Sequence, residues 1–141
     1  MSNLTVFMAG NAKDDEIVKY VASKRFVNKG KPVYWEIKAI ASDTDELIRK
    51  ECTKKVPVAG KRGQYTPETD TDKYVGKLCV ACTVFPNLND AELQDSYCVK
   101  TPDALLKKML KPGEYTDYKA KVMEVCGYDM SMEELVEEAK N

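Results

Sequence analysis

The sequence predicts an α+β fold, in which an N-terminal β-hairpin is followed by a mainly α-helical body of about five helices. Two observations support this prediction. Residues 17–40 are rich in β-branched and aromatic side chains, which is typical of strands. From residue 42 onward, helix-capping residues recur, and apolar residues at helical spacing follow them. A chain of 141 residues is long enough to bury one core without disulfide support.

The composition indicates a globular protein, with 43% hydrophobic and 32% charged residues. No apolar run approaches the roughly 18 residues that a membrane-spanning helix needs. The first nine residues lack the basic region of a signal peptide, so we expect a cytoplasmic protein. The five cysteines are an odd number, which favours free thiols over a disulfide framework.

The net charge of −1 conceals an uneven distribution along the chain. Residues 19–62 contain 12 basic and 5 acidic residues, whereas the remaining residues contain 10 basic and 18 acidic ones. Opposite charges of this kind can steer head-to-tail self-association or an encounter with a charged partner. Two differently solvated faces would explain the same distribution.

The predicted hairpin consists of strands at 17–26 and 33–40. In the second strand Val33, Trp35 and Ile37 fall on one face and alternate with more polar neighbours. The residues between the strands include Asn, Gly and Pro, which are turn formers.

The residues before this hairpin show a short apolar patch and no sustained periodicity. We interpret residues 1–16 as a loosely ordered N-terminal segment. Residues 17–141 are then expected to form one domain.

The first predicted helix begins at Ser42, because a Ser hydroxyl can accept from the free N–H groups of a helix start. It extends to about Cys52. A long basic loop is predicted at 54–68. The next helix is predicted at 71–84, where Pro86 ends it.

The remaining helices follow from similar signals. A short one is predicted at 89–97. Another is predicted to begin at Pro102, because the N–H that proline lacks has no partner within the helix at its first position. The next extends to Cys126 and is closed by Gly127. A final acidic helix is predicted to begin at Ser131, where the sequence matches a capping box.

Residue content argues against catalysis and against a bound metal or cofactor. The chain contains no histidine, which excludes His-dependent nucleophile and zinc motifs, and it contains no glycine-rich phosphate loop. Cys79 and Cys82 form a CxxC pair, but a zinc site needs four ligands and no second pair is present. We therefore interpret both cysteines as core residues of a helix and predict a protein that is not an enzyme.

The basic loop offers an alternative function. Residues 60–63 read Gly-Lys-Arg-Gly, and such GxxG loops clamp nucleotide backbones in KH domains. Those loops join two helices tightly, whereas about fifteen irregular residues are predicted here. A small nucleic-acid-binding module using residues 54–62 remains the alternative, although the net charge of −1 disfavours it.

Several segments together resemble the XkdN-like phage tail assembly chaperones of Bacillus-type prophages and phage-like elements. The resemblance extends from about residue 17 to residue 141, and its motifs are structural rather than catalytic. The segments that carry it lie at 18–26, 35–40, 63–68, 81–97 and 112–115.

The resemblance implies a non-enzymatic holdase in the cytoplasm of the bacterial host cell. Such a chaperone would bind apolar helices of the tape measure protein until subunits of the tail tube protein displace it. The uneven charge distribution leaves open a homo-oligomer as well, and we expect neither a membrane nor a cofactor to be involved. We expect the partner to bind an exposed, methionine-rich groove, although these residues also suit a core. The groove candidates are Leu105, Leu106, Met109, Leu110, Val122, Met123, Met130 and Met132.

Overall fold

The computed structural model describes residues 3–14 and 16–128, and it confirms the predicted α+β class. The described residues form seven short strands and five α-helices. Strands dominate the first half, and helices dominate the second half. None of these helices is long and apolar enough to cross a membrane.

The N-terminal residues form a short 3₁₀-helix, Asn3–Phe7, which the sequence did not predict. Every described residue from 3 to 14 is exposed to solvent. The proposed boundary between residues 16 and 17 remains a prediction.

The central sheet has three antiparallel strands in the order β1 (Val18–Tyr20), β4 (Trp35–Ile37) and β7 (Thr83–Phe85). Tyr20 pairs with Trp35, so the two predicted hairpin strands do pair, although each is only three residues long.

The connection between β1 and β4 contains its own small hairpin of β2 (Val27–Asn28) and β3 (Lys31–Pro32). Its turn residues, Lys29 and Gly30, have φ angles of 53° and 79°. Two consecutive positive φ angles are typical of the type I′ turns that suit strand twist.

The strand β7 corrects the predicted helix at 71–84. The helix ends at Cys82, and the following β-branched and aromatic residues add to the sheet. The Thr83 hydroxyl donates to the Cys79 carbonyl over 2.6 Å, and the Lys38 N–H donates to the Cys82 carbonyl over 2.8 Å. These bonds satisfy two carbonyls at the end of the helix, and the second of them connects the helix end to the residue that follows β4.

The predicted irregular loop at 54–68 is also wrong. These residues form a second hairpin of β5 (Thr53–Pro57) and β6 (Tyr65–Thr69), which pairs with no other strand among the described residues. The two strands read Thr-Lys-Lys-Val-Pro and Tyr-Thr-Pro-Glu-Thr, so their sequences show no alternation of apolar and polar residues. Cross-strand backbone pairing and a 2.7 Å contact between the hydroxyls of Thr53 and Thr69 hold it together.

Local capping explains most of the helix starts. Side chains of Asp70, Asp90 and Thr101 each accept a hydrogen bond from an N–H in the first turn of the helix that follows. Ser42 was predicted to cap the first helix, but it is already the first helical residue, and Ala41 precedes it without a side-chain bond. The helices are α1 (Ser42–Glu51), α2 (Thr71–Cys82), α3 (Ala91–Ser96), α4 (Pro102–Met109) and α5 (Pro112–Val125).

The end of α5 follows the prediction, because Gly127 adopts a φ of 92° just beyond it. The final helix predicted from Ser131 lies outside the described residues.

The core lies between the central sheet and helices α2, α4 and α5. Trp35 of β4 and Tyr118 of α5 are almost fully buried, and their rings meet edge to face with centroids 5.3 Å apart. The Tyr118 hydroxyl lies 2.5 Å from the Thr83 hydroxyl, so its polar end is satisfied inside the core. One side chain therefore links α5 to two strands of the sheet.

Helices α1 and α2 are joined by a polar contact at the edge of the core. The Tyr74 hydroxyl donates to the Asp45 carboxylate, and Arg49 forms an ion pair with the same carboxylate over 3.0 Å. The Arg49 guanidinium also lies 4.3 Å from the centre of the Tyr74 ring. Burial acts to raise the pKa of Asp45, but the hydrogen bonds from Tyr74 and Arg49 outweigh it, and the pKa is lowered.

We expect Asp45→Asn to reduce the free energy of unfolding by about 1–2 kcal/mol at pH 7. The folded pKa of Asp45 lies below its unfolded value, so this stabilisation is complete well above about pH 4 and is lost as the pH falls. The difference between the variant and the unchanged protein should therefore shrink in acid. Urea unfolding at pH 7, 5 and 3 measures it.

Glu46→Gln provides the control, because Glu46 is an exposed residue of the same helix. Its effect should stay within about 0.5 kcal/mol. A cost for Asp45→Asn that is the same at all three pH values would contradict the electrostatic account.

Candidate partner-binding site

Of the eight residues predicted to form an exposed groove, the six that the structure describes are buried or partly buried. Met123 is partly buried against the core, and Met130 and Met132 lie outside the described residues. The other five are core residues with at most 4% of their surface exposed: Leu105, Leu106, Met109, Leu110 and Val122.

The expected exposure is therefore wrong for these five residues. The leucines of α4 do form a helical stripe, but α4 packs against α2 and the stripe is buried there. A helical stripe shows that one face needs an apolar neighbour, and here other helices of the same chain provide it. Partner contacts by any of the eight residues remain a prediction.

An open apolar groove lies elsewhere, beside the sheet edge. Its volume is about 370 Å³, and seven of its eight lining residues are apolar. The groove forms where the β2–β3 hairpin, the edge strand β7 and the end of α4 meet. The lining residues are Arg25, Phe26, Val27, Val33, Trp35, Phe85, Pro86 and Met109.

The groove combines a fixed floor with an exposed rim. Trp35 is only 2% exposed and Met109 only 4%, whereas Val27 is 58% exposed and Phe85 46%. Phe26 packs on Trp35 with ring centroids 6.2 Å apart. Two large apolar side chains at the rim thus face solvent above a floor that the core holds in place, which is the usual anatomy of a binding site.

Arg25 is the one charged residue among the eight that line this groove. Its guanidinium donates to the Met109 carbonyl at the end of α4 and lies 5.4 Å from the centre of the Phe26 ring. The adjoining β2–β3 hairpin carries the exposed residues Lys29 and Lys31. An apolar groove with basic surroundings suits an apolar segment that carries acidic residues.

Sequence reasoning found part of this groove. Val33 and Trp35 were assigned to one apolar strand face, and Met109 was among the predicted partner-binding residues. Phe85 and Pro86 were missed because Pro86 was interpreted only as a helix stop. The signal that could have found them is the β-branched and aromatic run that ends in Pro86, which is unusual for a helix C-terminus.

The basic hairpin β5–β6 forms a second distinct surface. Its basic residues, Lys54, Lys55, Lys61 and Arg62, are all exposed, and β6 is exposed along its length. The Gly-Lys-Arg-Gly segment at 60–63 joins two strands. It therefore lacks the helix–GxxG–helix geometry of a KH domain.

The cysteines of the CxxC pair are both fully buried. Burial raises the pKa of the Cys79 thiol to about 12, and burial together with the hydrogen bond to Cys126 raises the pKa of Cys82. The sulfurs of Cys82 and Cys126 lie 3.4 Å apart. Within the described part of the chain, no three cysteine or carboxylate residues are arranged to hold a metal ion.

This chain is similar to known proteins along nearly its whole length. Residues 4–140 match the family described as phage XkdN-like tail assembly chaperone protein. The uncharacterized protein YqbN of Bacillus subtilis strain 168 is 36% identical, with 99% of this chain and 93% of that protein covered. The phage-like element PBSX protein XkdN of the same strain is 30% identical, with 99% and 94% covered. The crystal structure of YqbN has a TM-score of 0.78 at 31% identity, covering 92% of this chain and 99% of that one.

We expect Cys79 and Cys82 to react slowly with a thiol reagent in the native protein, because buried thiols with raised pKa values form little thiolate. Cys98 is exposed and should react at least about a hundredfold faster, which makes it the internal control. Labelling followed by mass spectrometry of peptides measures each site. Rapid native labelling of Cys79 or Cys82, or stoichiometric zinc by elemental analysis, would contradict this account.

Proposed function

Because the chain belongs to the XkdN-like phage tail assembly chaperones, we propose that it is a non-enzymatic holdase for apolar helices of the tape measure protein. It acts in the cytoplasm of the bacterial host cell during tail morphogenesis. The observation that carries this proposal is the open apolar groove beside β7, with Val27 and Phe85 exposed at its rim.

The dimensions of the groove suit side chains from an amphipathic helix. A volume of about 370 Å³ lies within the usual range for binding pockets and accommodates one or two large apolar side chains. Residues three or four positions apart on a helix project from one face and can enter such a groove together. Covering the rim removes apolar surface from water, which contributes about 25 cal/mol per Å².

The openness of the groove also suits release. A chaperone of an assembly pathway must give up its partner when the tail tube protein arrives. A shallow site holds each helix weakly, and many copies along one long tape measure protein supply the total affinity. Arg25 at the groove would favour apolar helices that carry acidic residues.

The chemistry of the chain favours binding over catalysis. The sequence has no histidine, and the buried thiols of Cys79 and Cys82 have raised pKa values. Neither thiol therefore has the thiolate character that a cysteine nucleophile requires.

We expect co-expression with this protein to keep an apolar tape measure fragment from the same phage element in the soluble fraction. Phe85→Asp places a charge on the groove rim and should reduce the soluble fragment by about fivefold or more, since burying an unpaired charge opposes binding. Quantitative gel analysis of soluble and insoluble fractions measures the effect.

Leu47→Asp is the matched control, because Leu47 is 62% exposed on α1 and does not line the groove. It should leave the fragment soluble. Thermal unfolding of both variants checks that the fold persists. A fragment that precipitates equally with and without the unchanged protein would refute the holdase proposal.

The exposed basic hairpin supports a second candidate function, nucleic-acid binding through residues 54–62. Residues 53–69 carry four basic residues and one acidic residue. We nevertheless expect no retention on DNA or RNA at about 0.15 M ionic strength, because the whole chain has a net charge of −1.

Chromatography on immobilised nucleic acid tests this expectation. Tight retention at that salt concentration would support nucleic-acid binding as the function. In that case the quadruple change to Ala at Lys54, Lys55, Lys61 and Arg62 should abolish the retention.

A further inference from the structure

We propose that Cys82 and Cys126 form an oxidation site, at which a peroxide converts two contacting thiols into a disulfide within one copy of the chain. The bond fastens the last residue of α2 to the residue that follows α5. Neither cysteine lines the apolar groove beside β7, so the site is separate from the one proposed to hold a partner.

The two thiols already lie against each other at the edge of the core. Their Sγ atoms are 3.4 Å apart, although 44 positions separate the two residues in the sequence. A disulfide bond is about 2.05 Å long, so the sulfurs must approach by only about 1.4 Å. A change in the side-chain torsion of Cys126 moves its sulfur by that amount, and neither helix needs to be displaced.

The two thiols differ in their access to solvent. Cys82 is fully buried, whereas Cys126 is half-buried. Cys126 also lines a pocket of about 240 Å³ with Gly127 and Tyr128, and Cys82 is not among the residues that line it. This volume admits hydrogen peroxide, which is little larger than a water molecule. A small polar oxidant therefore meets Cys126 first.

The chemical environment of Cys82 supports the same order of reaction. Burial, together with the hydrogen bond to Cys126, raises the pKa of the Cys82 thiol. Because peroxides oxidise the thiolate rather than the thiol, Cys82 is a poor first target. Cys126 is then the thiol that the peroxide oxidises, and Cys82 is the resolving thiol.

The reaction proceeds in two balanced steps. The Cys126 thiolate attacks one peroxide oxygen, the O–O bond breaks, and hydroxide leaves and takes up the proton that the Cys126 thiol released. The Cys82 sulfur then attacks the sulfur of the resulting sulfenic acid, the S–O bond breaks, and the Cys82 proton leaves with the hydroxyl as water. Two thiols and one hydrogen peroxide thus give one disulfide and two water molecules. Each sulfur loses one electron, and each peroxide oxygen gains one.

The contact between the thiols makes the second step feasible at a buried residue. Because Cys82 is held against Cys126, its attack is intramolecular and needs no access for an external reagent. Cys82 can therefore resolve a sulfenic acid on Cys126 even though it reacts slowly with reagents in solution.

The disulfide closes a loop that contains β7 and the helices α3, α4 and α5. Such a loop restricts the unfolded chain more than the folded chain, so the bond stabilises the fold. Thiol reductants such as glutathione reverse it by exchange. The site is therefore a reversible one that strengthens the fold while an oxidant is present.

The experiment treats the full-length protein with hydrogen peroxide and measures its intact mass, its cross-linked peptides and its thermal unfolding. The Cys98→Ser variant serves as the background, because the exposed Cys98 thiol can cross-link two copies. We expect the chain to lose two hydrogen atoms, about 2 Da, and peptide fragmentation to place the cross-link between Cys82 and Cys126. The oxidised chain should unfold at least about 5 °C above the reduced chain, and a thiol reductant should reverse both changes.

Three further variants in that background assign the roles of the thiols. Cys126→Ser should show no loss of hydrogen and no shift in unfolding temperature. Cys82→Ala should leave the sulfenic acid on Cys126 unresolved, so that dimedone, a reagent for sulfenic acids, adds there. Cys79→Ala is the matched control, because Cys79 is as buried as Cys82 and its removal leaves the thiol pair intact. It should still form the cross-link.

Circular dichroism checks that each variant folds. If Cys82→Ala does not fold, Cys126→Ser decides the matter alone, since its site is half-buried. A cross-link to Cys79, a cross-link that forms equally in Cys126→Ser, or oxidation of Cys126 to a sulfinic acid without any cross-link overturns the proposal. None of these outcomes bears on the holdase proposal, which is tested by the solubility of the tape measure fragment.

Discussion

The edge-to-face contact between Trp35 and Tyr118 is the interaction on which the rest of the structure depends. It joins the middle strand of the sheet to α5, and the Tyr118 hydroxyl bonds Thr83 at the point where α2 passes into β7. Burial raises the pKa of Tyr118, so its hydroxyl stays neutral and remains a hydrogen-bond donor or acceptor inside the core. Three-residue strands contribute little stability alone, and the aromatic pair provides the packing they lack.

The same tryptophan connects the core to the surface. One part of Trp35 packs on Tyr118, and another part forms the floor of the groove with Phe26. A groove built on a core residue is pre-organised, since its shape does not need to form when a partner arrives. The rim residues Val27 and Phe85 come from a hairpin and an edge strand, so the groove combines a rigid base with more adaptable sides.

The sequence predicted those features that arise from local signals. The helix starts predicted at 71, 89 and 102 lie within two residues of those observed, because the signals that begin a helix act within its own first turn. The strand β7 and the hairpin β5–β6 were missed, since cross-strand pairing stabilises them and leaves no periodic apolar pattern. Leu105 was recognised as part of an apolar helical face, but periodicity alone cannot distinguish a face that contacts a partner from one that contacts α2. The groove brings Val27 together with Phe85, residues far apart in sequence, and only the tertiary structure shows their proximity.

The second hairpin has a consequence for how the chain can vary. It is tied to the body at its base, where the Thr53 hydroxyl donates to the Arg49 carbonyl and the Asp70 N–H to the Cys52 carbonyl. Beyond that base its amides pair only with each other, and the residues around its turn are mostly exposed. Substitutions, insertions or deletions near the turn would remove no core packing. Related proteins can therefore diverge in this arm while keeping the same body, so a change in what the arm contacts need not alter the stability of the fold.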